Sequence, residues 1–349
     1  MFETLGLENW TPKEASVVVG VVLGLLFGVF AQRSKFCLRR GLVGEITERA
    51  SALSTWLTAL VVAILGTQAL SFFGFVDFSG HRFLSSEIPI AAIVLGGLLF
   101  GAGMVLARGC ASRLTVLGGS GNMRALVTIL IFAAVAHATL KGVFAPGRVW
   151  ISSLTTDLGA VATLPGNGLI WGGIAAVALA FFVRAQFAAT SDLIYGALIG
   201  ALVPLGYLAT GLVLFDEFDP ITLESIAFTS AGSESLFWGI ASTAIEPGFG
   251  VGLLGGALGG SAIAALTFGE FKWVGFTSDF PTSNYLLGGS LMGVGGVLAG
   301  GCTVGAGLSG VALLSVAAIL ALASIIAGAL LTNALKTNPS LSGAAIPAE

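Results

Sequence analysis

Charge is the scarcest feature of this chain. Lys and Arg number 15 and Asp and Glu 18, together 9% of 349 residues, where a soluble domain carries about 25%. That excludes an ordinary water-soluble globular chain, and it leaves no basic face of the kind that binds nucleic acid. Cysteine is nearly as sparse. The three residues, Cys37, Cys110 and Cys302, form no CxxC pair and lie far apart, which argues against a disulfide framework and against a closed zinc site. No Ser/His/Asp set or phosphate-cradling loop is present, so no cofactor, no metal and no hydrolytic chemistry are expected. Nor is there an evident pair of buried carboxylates of the sort that carries protons or sodium. Residues 1–14 hold three acids and one lysine, the reverse of a basic signal-peptide start, so the first apolar run is expected to be retained.

What the chain has in quantity is apolar surface and glycine, 56% hydrophobic residues and 51 glycines. Nine apolar spans stand out: Ala15–Gln32, Leu53–Phe75, Ile88–Ala107, Ala125–Leu140, Gly168–Val183, Leu193–Phe215, Phe249–Phe268, Tyr285–Ala299 and Val311–Leu331. Several approach the ~20 residues that cross a ~30 Å hydrocarbon core. The expected fold is an all-α polytopic membrane protein, a single transmembrane domain over residues 1–349. Two shorter helix-like pieces, Cys37–Glu48 and Ser235–Ser242, and the shortest spans fit helices that stop at mid-membrane.

The stretch Leu95 to Leu117 organises the rest. Aligning Cys110 on Cys302 gives eleven identities across the sixteen positions 95–110 and 287–302, an internal repeat. Both copies are glycine-dense helices that end at Gly-Cys. The repeat extends to two halves, 15–140 and 193–332, separated by one linker helix at 168–183. An even set of spans followed by a single linker returns to the membrane upside down, so inverted-topology repeats are expected. Counting Lys and Arg by side gives eleven on the loops shared with the C-terminus and four on the other. That places the C-terminus in the cytoplasm and the N-terminus in the periplasm.

The thiols share a position. Cys37, Cys110 and Cys302 each follow a glycine (Gly28, Gly101, Gly293) by nine residues, after GLLFG, GLLFG and GSLMG. A lone membrane cysteine is usually a small packing residue, but three at matching helix ends point to function. Most glycines serve close helix packing. Gly109 and Gly301 differ, standing where the backbone turns beside a thiol, and glycine there allows φ > 0 and close approach of a solute to the main chain. Non-helical backbone at membrane depth is tolerated only where buried or lining a cavity, and a helix restarting there aims its N–H groups at an anion. Arg108 and Arg113 flank Cys110 and could hold that anion. Arg39 and Arg40 beside Cys37 are weaker candidates. The second copy has Gly300 and Gly305 in place of Arg108 and Arg113, so the cationic contribution should be lopsided. Gln68, His137 and Asn284 read as packing or capping groups, and Glu45, Glu48 and Arg49 as a solvated helix face.

Three stretches, SKFCLRRG at 34–41, GxGxxxxRGCASR at 101–113 and GxGGVLAGGCTVGAGLSG at 293–310, together resemble the YeeE/YedE family of bacterial inner-membrane sulfur transporters, and the similarity covers nearly the whole chain. The resemblance implies an inverted-repeat helical fold and uptake of thiosulfate into the cytoplasm. It further implies that Cys37, Cys110 and Cys302 line a narrow path and contact the terminal sulfur of the substrate, with Cys110 the main site. The implied partner is a small soluble sulfur carrier of the TusA type.

The chemistry of the residues agrees. Thiosulfate is a dianion with one soft sulfur and three hard oxygens, so helix ends suit the oxygens and a polarizable S–H suits the sulfur. Thiols are weak donors, worth on the order of 1 kcal/mol or less per contact, and shallow sites permit passage. Two other readings stay open. One is a membrane thiol enzyme, a sulfurtransferase or oxidoreductase forming a Cys persulfide, though no resolving cysteine lies nearby in sequence. The other is a channel for another small anion.

Overall fold

The computed structural model describes residues 10–186, 189–217, 219–276 and 282–337. The ends of the chain, including most of the polar tail after Asn333, lie outside the described residues. The protein is 75% helical, and its one sheet among the described residues is a two-residue pairing of Glu87–Ile88 with Thr156–Asp157. In chain order the helices are α1 (Pro12–Ser34), α2 (Leu38–Val43), α3 (Ile46–Phe72), α4 (Ile90–Leu106), α5 (Ala111–Gly119), α6 (Met123–Lys141) and α7 (Ala145–Ser152). There follow α8 (Gly168–Gln186), α9 (Thr190–Leu208), α10 (Phe228–Ala241), α11 (Phe249–Thr267), α12 (Thr282–Leu298) and α13 (Val316–Thr337).

Eight segments built on these helices are long and apolar enough to cross a membrane. The ninth expected span corresponds to α12, of which 17 residues lie among the described ones. The protein is an all-α, multi-pass membrane protein. The short piece expected at Ser235–Ser242 starts earlier, at Phe228, because the inward-turned residues Phe228, Thr229, Ala231 and Gly232 are buried and extend the helix into the core.

The long helices pair crosswise between the halves. α1 packs on α11 and α3 on α9; α4 packs on α13 and α6 on α12; and α4 also packs on α12. Glycine makes these approaches possible. A methyl on Gly28 of α1 would lie 2.7 Å from the Ser261 nitrogen of α11, and one on Gly101 of α4 would lie 2.6 Å from the Ala329 nitrogen of α13. Backbones this close are the membrane substitute for a hydrophobic driving force. Polar groups close the remaining gaps. Gln68 donates to the Ala312 carbonyl at 2.8 Å, and His137 Nδ1 lies 3.1 Å from Ser233 Oγ, so both act as the packing groups anticipated. At its two ends α1 is tied to the second half by Lys13–Glu246 at 3.7 Å and Arg33–Glu270 at 3.0 Å.

Candidate functional site

Three helices break in the same way. Lys35, Arg108 and Gly300 each stand two residues before a cysteine, and each is left-handed, with φ of 51°, 58° and 76°. Behind the first two, the N–H of Phe36 returns to the Ala31 carbonyl at 3.1 Å and that of Gly109 to the Met104 carbonyl at 3.0 Å, a Schellman closure of the helix end. The positive φ expected at Gly109 and Gly301 therefore falls one residue earlier. A Schellman end requires its left-handed residue at the first non-helical position, and the helix ends at that point. Gly301 is needed for a different reason, since a methyl there would lie 2.6 Å from the Ala306 nitrogen. At Gly109 the nearest neighbour of such a methyl is the Leu114 side chain, at 3.2 Å.

After each break the cysteine stands at the start of the next helical turn. Cys37 and Cys110 are the N-caps of α2 and α5. The Cys302 carbonyl accepts from Ala306 N at 2.9 Å and its sulfur from Gly305 N at 3.3 Å, at the head of the π-helical turn Gly305–Gly310. The Cys37 sulfur faces the backbone of Arg40 and of Cys110. The three sulfurs thus stand beside the first turns of helical segments, where unpaired N–H groups favour an anionic atom.

Two of the thiols, Cys37 and Cys110, are brought together, and the third lies one residue from a neighbour of Cys110. All three are buried, Cys302 fully and Cys110 to within 1%. The Cys37 and Cys110 side chains are within hydrogen-bonding reach of each other, and Cys110 also reaches Thr303, the residue next to Cys302. Ser112 Oγ lies 3.3 Å from the Cys110 sulfur. The sequence offered no resolving cysteine near Cys110. Folding supplies one, because the turns that follow α1 and α4 place Cys37 beside Cys110.

On the Cys37 side a cavity of about 410 Å³ opens, lined by Cys37, Arg39, Arg40, Arg108 and Arg113 together with Glu45 and Glu48. Both expected arginines are there, and so are the two given less weight. Arg113 Nη1 donates to the Ala31 carbonyl at 3.4 Å, and Arg40 pairs with Glu48 at 2.8 Å. Glu45 and Glu48 stay solvated, as expected, and border the open rim of this cavity.

The opposite side holds a chamber that sequence reasoning missed. About 300 Å³ in volume, it is lined by His81, Arg82, Tyr207, Glu224, Gly305 and Ser309. The Cys302 sulfur lies within the electrostatic reach of Arg82, and Tyr207 Oη donates to the Ser309 carbonyl at 3.1 Å. The cationic contribution is therefore less lopsided than expected. The second repeat lacks its own arginines, but the loop before α4 inserts Arg82 from the first. A neighbouring cavity of about 400 Å³ contains Lys13, Asp219 and Glu234 and shares Glu224 with the chamber. Glu224 and Glu234, both half-buried, are close enough to influence each other, a pairing the sequence did not reveal. The available signal was the acidic loop 216–234, which has no Lys or Arg.

The sequence profile described as sulphur transport matches residues 33–331. The chain belongs to the sulphur transport family. All three thiols and both cavities' arginines fall within that match. Two relatives in the curated proteins are thiosulfate transporters named TsuA. That of Spirochaeta thermophila is 27% identical over 139 residues, 40% of this chain and 41% of its own. That of Escherichia coli is 29% identical over 125 residues, 35% of this chain and 34% of its own. The aligned part thus spans well under half the length of either relative.

Proposed function

We propose that this member of the sulphur transport family carries thiosulfate, or a closely related sulfur-containing anion, into the cytoplasm through the inner membrane. Cys37, Cys110 and Cys302 line the path, with Gly109 and Gly301 shaping it and Arg108 and Arg113 drawing the anion. The observation that carries the reading is the run of contacts Cys37–Cys110–Thr303, with Cys302 next in the chain, lying between two charged cavities. Each sulfur sits at the head of a helical turn. The N–H groups there suit the oxygens of the substrate, and the thiols suit its soft sulfur. Sulfate lacks the soft end and gains nothing from them. The two TsuA relatives carry the thiosulfate name.

The halves 15–140 and 193–332 act in this reading as inverted repeats about linker helix α8. The crosswise exchange of partners, α1·α11 with α3·α9 and α4·α13 with α6·α12, supports it. The N-terminus is periplasmic and the C-terminus cytoplasmic. Leaving out the arginines that line cavities, the basic residues still favour the Cys37 side as the inner one. A soluble carrier of the TusA type receives the sulfur there.

Contact between the Cys37 and Cys110 thiols also suits a persulfide-forming enzyme, and one experiment separates the two. Radiolabelled thiosulfate is given to cells expressing the wild type or Cys110→Ala, and the protein is examined for a covalent Cys–S–S adduct. Saturable uptake without adduct, competed by thiosulfate but not by sulfate and lost in Cys110→Ala, is the transport outcome. Unchanged uptake in the variant refutes the path.

A further inference from the structure

Glu224 has no task in this transport scheme, yet it stands at the mouth of the route. The non-helical stretch leading into α10 passes between the Arg82 chamber and the Lys13 cavity, and Glu224 lines both. Its main chain is held on each side. The Glu224 N–H donates to Thr210 Oγ1 at 3.2 Å, the same hydroxyl donates to the Glu224 carbonyl at 2.7 Å, and Ser225 Oγ donates to the Val203 carbonyl at 2.8 Å.

The charged and titratable groups around Glu224 come from several elements. His81 and Arg82 belong to the short 3-10 turn Arg82–Leu84 and its cap, Tyr207 to α9 and Glu234 to α10. Across the neighbouring cavity are Lys13 of α1 and Asp219. Lys13 is engaged with Glu246, and the Glu234 carboxylate accepts from the N–H groups of Gly248 and Gly250. Arg82 is the cation of the chamber, and Glu224 is the anion that shares it.

A small dianion drawn to Arg82 enters a space of about 300 Å³ already occupied on one wall by that carboxylate. Like charges at such range, with protein rather than water around them, oppose each other strongly. The incoming anion and ionised Glu224 therefore compete for Arg82, and a proton on Glu224 ends the competition. We propose that the Arg82–Glu224 chamber is a proton-linked loading site, which takes a small divalent oxyanion on Arg82 together with one proton on Glu224. Only an O–H bond forms, and the proton comes from the bulk solution. Burial and the nearby Glu234 push the Glu224 carboxyl up to about 7, with Arg82 opposing, so the proton is available close to neutral pH.

The inference rests on the transport reading and deepens it by linking substrate binding to protons. The test is thiosulfate binding to the purified full-length protein by calorimetry, repeated in buffers of different ionisation enthalpy between about pH 6 and about pH 8. Expected are proton uptake on binding and an affinity that weakens toward roughly tenfold per pH unit above the Glu224 midpoint. Glu224→Gln should abolish both the proton uptake and the slope. Glu234→Gln leaves Glu224 in place and should move the midpoint to lower pH, which a merely structural role would not do. Binding by the wild type with no proton uptake, or an unaltered slope in Glu224→Gln, overturns the inference while the transport reading stands. No thiosulfate binding by the wild type at any pH overturns both.

Discussion

The thiols of Cys110 and Cys37 lie within reach of each other, each at the N-cap of a short helix. Two helix ends, distant in sequence, thus form a single soft, polar point inside an apolar bundle. Thr303 extends it from the other half. Replacing Cys110 by Ala removes the middle member and should abolish thiosulfate uptake. Cys37→Ala and Cys302→Ala each remove one terminal contact of about 1 kcal/mol, and should lower uptake roughly fivefold. Full activity in both terminal variants counts against a relay.

The Cys37-side arginines should matter through charge. Arg113→Gln and Arg39→Gln are expected to raise the KM for thiosulfate roughly tenfold each, as loss of a charged hydrogen bond of about 1.5–3 kcal/mol implies. The effect of Arg40→Gln should be smaller, because its partner Glu48 already neutralises it at 2.8 Å. Concentration-dependent uptake in the three variants checks the order.

Backbone geometry at the second break makes a stability prediction. Gly300→Ala places a side chain at φ 76°, costing about 1–2 kcal/mol. Gly301→Ala places a methyl 2.6 Å from the Ala306 backbone nitrogen, which no side-chain rotation relieves, and should cost more. Thermal unfolding in detergent should rank wild type above Gly300→Ala above Gly301→Ala. Equal midpoints for Gly301→Ala and wild type would remove the role given to that close approach.

Two groups of the Arg82 chamber oppose each other in pH. His81 is lowered to about 4 by burial and by Arg82, so between about 4 and 6.5 the folded state binds fewer protons than the unfolded chain and stability falls as pH falls. Glu224 is raised to about 7, so between about 4.5 and 7 the folded state binds more protons and stability falls as pH rises. In the wild type the two slopes largely cancel where the windows overlap. Glu224→Gln should expose the His81 slope, with a melting temperature that drops on going from neutral to mildly acidic buffer. His81→Gln should show the opposite slope. Parallel melting curves in both variants contradict this assignment.

Much of this architecture was legible in the sequence because membrane burial imposes a strong pattern. Long apolar runs predict spans, and the eleven matches between 95–110 and 287–302 mark equivalent helix ends. The thiols were legible for the same reason, each nine residues after an equivalent glycine. What escaped was set by long-range contact. Nothing local says that Phe36 and Gly109 close Schellman ends, shifting the left-handed residue to Lys35 and Arg108. Arg82 carried no local signal, since long-range contacts such as the Ser315 to Phe83 carbonyl hydrogen bond at 2.5 Å tie its loop over the Cys302 break. Glu224 read as part of an acidic loop because burial of a non-helical stretch leaves no periodicity. Glu45 and Glu48 are solvated as their place in a helix's first turn suggests, but that they border the cavity beside Cys37 depends on how α2 packs.

The most direct test of the central claim is thiosulfate uptake into proteoliposomes containing the purified protein, comparing wild type with Cys110→Ala and Cys110→Ser. The account predicts saturable uptake by the wild type, insensitive to sulfate, with none in the alanine variant and little in the serine variant, whose harder oxygen pairs poorly with a soft sulfur. Wild-type rates in Cys110→Ala would contradict it.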